Sequence, residues 1–146
     1  MEKIQRAKWD DATLGLGIEE IDNQHKKLVA LANDLYDIAV GSIADYKAKM
    51  PSILKGLADY TVYHFSEEEK LMAKYNYASL PLHKSAHSSF VAEVSQQIKK
   101  FGQGDQKDAL TLYAFVANWV VMHIAQADHV WARYVKRQMQ IQARRR

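Results

Sequence analysis

The chain has 146 residues, about one domain's worth, with 48% apolar and 25% charged residues, a balance that can fill one hydrophobic core. Six glycines and two prolines argue against disordered, collagen-like and loop-rich all-β designs, and the absence of cysteine excludes disulfides, zinc–thiolate and iron–sulfur sites and a cysteine nucleophile. The net charge of +3 is uneven: six of the 20 basic residues follow the last acid, Asp128, leaving a body of fourteen bases and seventeen acids with a basic tail. A phosphate-binding surface would be basic across a face of the fold, so no nucleic-acid partner is expected. The tail reads as a solvated helix end. No apolar run of about 18–20 residues and no charged-then-apolar leader is read, so membrane insertion is not expected and the cytoplasm is the default compartment.

An irregular arm over residues 1–18, anchored by Trp9, Leu14 and Leu16, precedes a first helix from Glu19 to Val40. There Ile21, Leu28, Leu31, Leu35 and Ile38 recur at three- and four-residue steps after a wider first interval, as one helical face requires, and Gly41 closes the helix. Pro51, a natural first-turn residue, opens a second helix that runs to Tyr75. After a turn at 76–79, Pro81 starts a third helix that ends at Phe101, before the break Gly102-Gln103-Gly104. Asp105 caps a fourth from Gln106, which continues with a break to about Gln140. Residues 138–146 form the basic tail. Short connections between long helices make antiparallel neighbours. The expected fold is all-α: a single domain over 1–146, an up-down-up-down four-helix bundle with a short C-terminal helical extension.

Of the six histidines, five (His25, His64, His83, His87 and His123) fall at core-facing positions, at least one on each helix. A lone histidine on an apolar face is usually a hydrogen-bonded core residue. Five would each need a partner in one small core, which is costly. His64 and Glu68 are i and i+4, as are His83 and His87, so each pair shares a face. Together with His25 and His123 they point to a metal site in the bundle core. His123 and Asp128 are five apart, about 140° off face on an ideal helix. They share a site only if the helix is broken or overwound between Ile124 and Ala127. Asp128 could also cap a final helical turn to about Arg137, and the two readings are compatible, since a break there would start that turn and turn the carboxylate inward.

Five imidazoles exceed what one ion with an open position takes, which indicates two metals with Glu68 and Asp128 between them. Two six-coordinate ions offer roughly twelve donor positions. Five nitrogens, two bidentate bridging carboxylates and one solvent-derived bridge fill all but one, leaving room for one small exogenous ligand. Imidazole with carboxylate suits iron, zinc, copper or nickel alike.

The stretches Gly17-Ile-Glu-Glu-Ile-Asp-Asn-Gln-His25, His64-Phe-Ser-Glu-Glu68, His83-Lys-Ser-Ala-His87 and His123-Ile-Ala-Gln-Ala-Asp128 resemble the hemerythrin family, specifically its single-domain bacteriohemerythrins. That resemblance implies two non-haem iron ions with a bridging oxo or hydroxo group. It further implies that His83, His87 and His123 hold the coordinatively full iron and His25 and His64 the one with the vacancy, with Glu68 and Asp128 bridging. The function it implies is reversible dioxygen binding as carrier, store or sensor input, with no catalytic residues. An oxygen-consuming enzyme or an electron donor is the further partner. The family often has a tyrosine a few residues beyond the bridging aspartate, where this chain has Trp131 and then Tyr134.

Ile21 and Leu28 around His25, Tyr60 near His64 and Trp119 near His123 are candidate walls of a dry pocket, or simply core. His129 is read as exposed and outside the site, and Glu67 and Glu69 as solvated. The alternative function is a di-iron redox enzyme reducing peroxide, oxygen or nitric oxide. Ferritin-like oxidases, however, use Glu-x-x-His motifs and more carboxylates than imidazoles, the reverse of this chain. A zinc hydrolase is disfavoured, since no His-Glu-x-x-His is present. Oligomeric state is left open, with the basic tail or a bundle face as candidate dimer surfaces.

Overall fold

The computed structural model describes residues 4–101 and 104–145. Within them the elements in chain order are α1 (Asp11–Leu14), α2 (Glu19–Ala39), α3 (Ile43–Lys74), α4 (Leu80–Phe101), α5 (Gln106–His123), a π-helical turn (Ile124–Asp128) and α6 (His129–Arg144). No strand occurs among the described residues. Helix α2 packs on α3 and α5, and α4 packs on the same two, so the four long helices form the expected bundle with α2 and α4 on one diagonal. Gly102 and Gln103, the expected break, lie outside the described residues.

Several boundaries differ from the sequence expectation. Helix α3 begins eight residues before Pro51, because Ser42 caps it by accepting from the Asp45 amide. Proline at that depth removes the bond to the Lys47 carbonyl. Burial of Tyr46 and Met50 in the added turns outweighs that loss, and the Tyr46 hydroxyl also donates to the carbonyls of Gly104 and Asp105 at 2.9 and 3.1 Å. Gly41 does not adopt the left-handed conformation expected of it; instead the Gln106 amide donates to the carbonyls of Ile38, Ala39 and Gly41. At the other end of α3, Asn76 does adopt it, with φ 58°. The amides of Asn76 and Tyr77 then bond the carbonyls of Ala73 and Met72, a Schellman closure.

The N-terminal arm carries the short helix α1, capped by Asp10. Leu14 and Leu16 are buried as expected, and Trp9 half so. The Asp22 carboxylate accepts from the amides of Leu16 and Gly17, tying the arm to α2. Gly17 has φ +80°, and a β-carbon there would meet Lys136 Nζ at 2.9 Å.

The expectation of no membrane-length apolar segment is corrected. The rod Gln106–Arg144 is long and apolar enough by length and composition, with an 18-residue window of mean hydropathy 1.3. Much of that apolar content fills the core, through Ala109, Leu112, Tyr113, Val116, Val120 and Ile124.

The buried apolar residues form two clusters. The larger includes Leu28, Leu35, Leu57, Phe65, Phe90, Leu112, Tyr113 and Ile124; the smaller joins Leu16, Ile21, Met72, Tyr75, Trp131, Ala132 and Val135. Between them lies a polar layer. Along α2, His25 falls between Ile21 and Leu28; along α3, Glu68 falls between Phe65 and Met72; along the last rod, Asp128 falls between Ile124 and Trp131.

Candidate metal centre

All seven expected site residues converge on that polar layer. His25 comes from α2, His64 and Glu68 from α3, His83 and His87 from α4, His123 from the last turn of α5 and Asp128 from the π turn. The side chains of His25, His64, Glu68, His87 and Asp128 are at most 2% exposed; His83 and His123 are slightly more open. Ligand-capable atoms of Glu68, His83, His87, His123 and Asp128 lie within 4.8 Å of one another, and so do those of His25, His64 and Glu68.

The carboxylate oxygens divide the imidazoles into two sets. Glu68 Oε2 faces Nε2 of His25 at 2.9 Å and of His64 at 3.3 Å, while Oε1 faces Nε2 of His87 at 3.3 Å and of His83 at 3.8 Å. Asp128 repeats the division, with Oδ2 3.2 Å from His25 and Oδ1 3.1 and 3.2 Å from His83 and His123. Each carboxylate therefore straddles a two-histidine and a three-histidine position.

Neither a break nor an overwound turn brings His123 and Asp128 together. The helix widens into a π turn, whose i→i+5 bonding sets residues five apart nearly above one another. Asp128 keeps helical φ and ψ of −69° and −32° and its side chain caps nothing. The capping alternative is not realised, and α6 runs on from His129 to Arg144, beyond the expected Arg137 or Gln140.

The electrostatics suit cations. Burial alone would lower an imidazole's pKa, but the Asp128 and Glu68 carboxylates outweigh it and raise His25 to about 9. His83 is also raised to about 9, against burial, by the same two carboxylates. Burial would push Glu68 up, yet His25, His64, His83 and His87 hold it well below the ordinary carboxylate range. Asp128 is likewise lowered: burial and the Glu68 charge oppose ionisation, and His123, His25 and His83 prevail. Three buried atoms aimed at the interior, His83 Nε2, Glu68 Oε1 and Asp128 Oδ2, make only the ring-to-carboxylate approaches above and no well-directed hydrogen bond. Unpaired groups at such depth are costly, and mixed nitrogen and carboxylate donors are those of a transition-metal site. The residues present fit a pair of metal ions.

Three contacts behind the cluster escape the sequence reading. His64 Nδ1 lies 2.8 Å from Gln24 Oε1, and His87 Nδ1 lies 2.8 Å from Glu69 Oε2. Glu69 is thus not merely solvated. The indole N–H of Trp131, fully buried, donates to Asp128 Oδ1 at 2.9 Å. Its i, i+3 spacing from Asp128 is the signal that could have found it. Tyr134 turns away and donates to the carbonyl of Tyr75. His129 stays outside the cluster as expected, but half-buried, with Nε2 2.8 Å from the Thr13 carbonyl.

An aromatic wall lines one flank. Phe65 stacks on His87 with centroids 3.7 Å apart, Trp119 on His123 at 4.3 Å, and Phe90 on the other face of Trp119 at 3.9 Å. Tyr60 is half-buried, with Lys27 Nζ 4.7 Å from its ring centroid.

A family model for the hemerythrin HHE cation-binding domain matches residues 16–135. The chain is 36% identical over 122 residues to a bacteriohemerythrin of Clostridium acetobutylicum, covering 82% of this chain and 94% of that protein. It is 32% identical over 123 residues to one of Methylococcus capsulatus, covering 84% and 92%. A crystal structure of wild-type hemerythrin superposes with a TM-score of 0.75 at 30% identity, covering 88% of this chain and 97% of that one.

Proposed function

We propose, for a chain that belongs to the hemerythrin family, reversible dioxygen binding at two non-haem irons held by His25, His64, Glu68, His83, His87, His123 and Asp128. The observation that carries this reading is the division of the two carboxylates: each turns one oxygen to the two-histidine set and the other to the three-histidine set. That is the arrangement two bridging ligands require. Were two metals to share both carboxylates and a solvent-derived oxo or hydroxo group, His25 and His64 would supply one donor fewer than His83, His87 and His123. A small ligand would then be taken up on the His25–His64 side. When bound, the two irons supply two electrons to dioxygen and recover them on its release.

The protein's own part is to orient donors and keep water out. Ile21 and Leu28 stand one turn to either side of His25, and Met72 one turn beyond Glu68, all at most 2% exposed. A dry, low-dielectric setting suppresses protonation and loss of a reduced oxygen species. Gln24 holds the outer nitrogen of His64, and Trp131 fixes the Asp128 carboxylate. Five imidazoles against two carboxylates are the reverse of the donor set of ferritin-like oxidases, which favours binding over turnover. The proposal includes a cytoplasmic setting and an oxygen-consuming enzyme or electron donor as recipient.

The test is an anaerobic titration of the reduced, iron-loaded protein with dioxygen, followed by argon purging. The expected results are about two irons per chain and full recovery of the reduced spectrum. One-way conversion to the ferric form would refute the carrier reading and favour the redox enzyme.

A further inference from the structure

The outer nitrogens of two imidazoles meet chemically different acceptors. On the two-histidine side, His64 Nδ1–H donates to the neutral amide oxygen of Gln24; on the three-histidine side, His87 Nδ1–H donates to the carboxylate of Glu69, both at 2.8 Å. His64 and His87 are nearly fully buried, whereas the Glu69 side chain is 22% exposed, its headgroup bordering a surface groove with Val62, Ser66, Ser88 and Val91. Helix α3 thus presents two successive carboxylates about 100° apart: Glu68 points into the layer between the two metal positions, and Glu69 reaches the back of the His87 ring.

We propose that Glu69 is a positioning residue that makes the three-histidine metal position more electron-rich than its partner. The inference deepens the di-iron reading and rests on it. Two physical effects are involved. An acceptor on Nδ1–H fixes the tautomer, leaving the inward Nε2 lone pair free to bind metal, and locks the ring plane already set by the Phe65 stack at 3.7 Å and 1°. A carboxylate acceptor adds a negative charge that an amide does not, which raises imidazole basicity and favours the oxidised metal. Solvent exposure of Glu69 screens part of that charge without removing it. Gln24 on His64 shows that an amide serves the first role within this same centre, so the two effects can be separated by substitution.

The test uses the full chain with Glu69→Ala, Glu69→Gln and Glu67→Gln, the last altering a neighbouring carboxylate that pairs with Lys70 instead. Metal-free protein is titrated with cobalt(II), and iron-loaded protein is titrated with dithionite in the presence of mediators. Glu69→Ala should weaken cobalt binding about 10–100-fold, and Glu69→Gln should restore it to within a few-fold of the parent. Iron-loaded Glu69→Gln should keep its metal and shift the reduction equilibrium about tenfold per electron toward the reduced state, ~59 mV. Glu67→Gln should change neither. The proposal is overturned if Ala binds cobalt like the parent, if Gln fails to rescue binding, or if Gln and Glu67→Gln shift the potential equally. A parent chain that takes up cobalt in two positions but does not bind dioxygen would refute the functional reading while leaving the cobalt arm to decide on Glu69.

Discussion

Replacing Trp131 by phenylalanine removes one donor from the centre of the molecule and very little else. The indole is fully buried and donates to Asp128 Oδ1 at 2.9 Å, and Asp128 is itself 1% exposed. A hydrogen bond to a buried charged acceptor contributes about 1.5–3 kcal/mol. Shrinking the ring leaves about 40 Å³ unfilled, which costs ~1 kcal/mol if the site does not collapse. The metal-free protein should therefore lose about 2.5–4 kcal/mol, read as a lower urea midpoint at unchanged slope, followed by far-ultraviolet circular dichroism at pH 7. Incorporating a benzothienyl analogue, in which sulfur replaces the N–H at nearly constant volume, should retain about 1.5–3 kcal/mol of that loss. A Phe variant destabilised by no more than the cavity contribution, or an analogue as stable as the parent, would show that the indole does not support Asp128.

His83→Ala should reduce iron to below one per chain by elemental analysis, whereas His129→Ala should keep full metal content and lose only its bond to Thr13, about 0.5–1.5 kcal/mol; equal metal loss in both would show the histidines misassigned. In the metal-free protein, His25 and His83 have pKa values raised from 6.5 to about 9, so their stabilising contribution is complete below pH 6.5 and lost as pH rises toward 9. Glu68 and Asp128 are depressed, so theirs is present above the ordinary carboxylate values of 4.5 and 3.8 and lost in acid. Thermal midpoints by scanning fluorimetry should therefore be highest between these limits and fall toward pH 9. Metal affinity should rise over the 6.5–9 window, because binding displaces the imidazole protons. A metal-free midpoint that climbs from pH 6.5 to 9 would contradict the site electrostatics. Pro51→Ala should stabilise the protein by about 1–3 kcal/mol by restoring the helical bond to Lys47; an unchanged or lower urea midpoint would mean that α3 does not tolerate proline at a cost.

The residue pattern alone determined the helical class, the connection at 76–79 and the seven side chains that meet in the polar layer. A 3.6-residue period and i, i+4 pairs are local geometry, and histidines at apolar positions are conspicuous against it. The pairing of His123 with Asp128 was legible only as a conflict. Five residues are off face on an α-helix, and the choice among breaking, capping and widening depends on whether a wider turn can be packed between Ile124 and Trp131, which only the assembled bundle decides. The start of α3 was obscured because a local proline rule pointed to Pro51, while the burial of Tyr46 and Met50 against neighbouring helices is a tertiary contribution. The acceptors Gln24 and Glu69 lie beside His25 and Glu68 in sequence, yet each serves an imidazole on a different helix, across 40 and 18 residues. Covalent order sets which side chains share a helical face. Which oxygen meets which nitrogen across the interior follows from how the four rods are rotated against one another, and that rotation is set by the packing of the two apolar clusters above and below the polar layer.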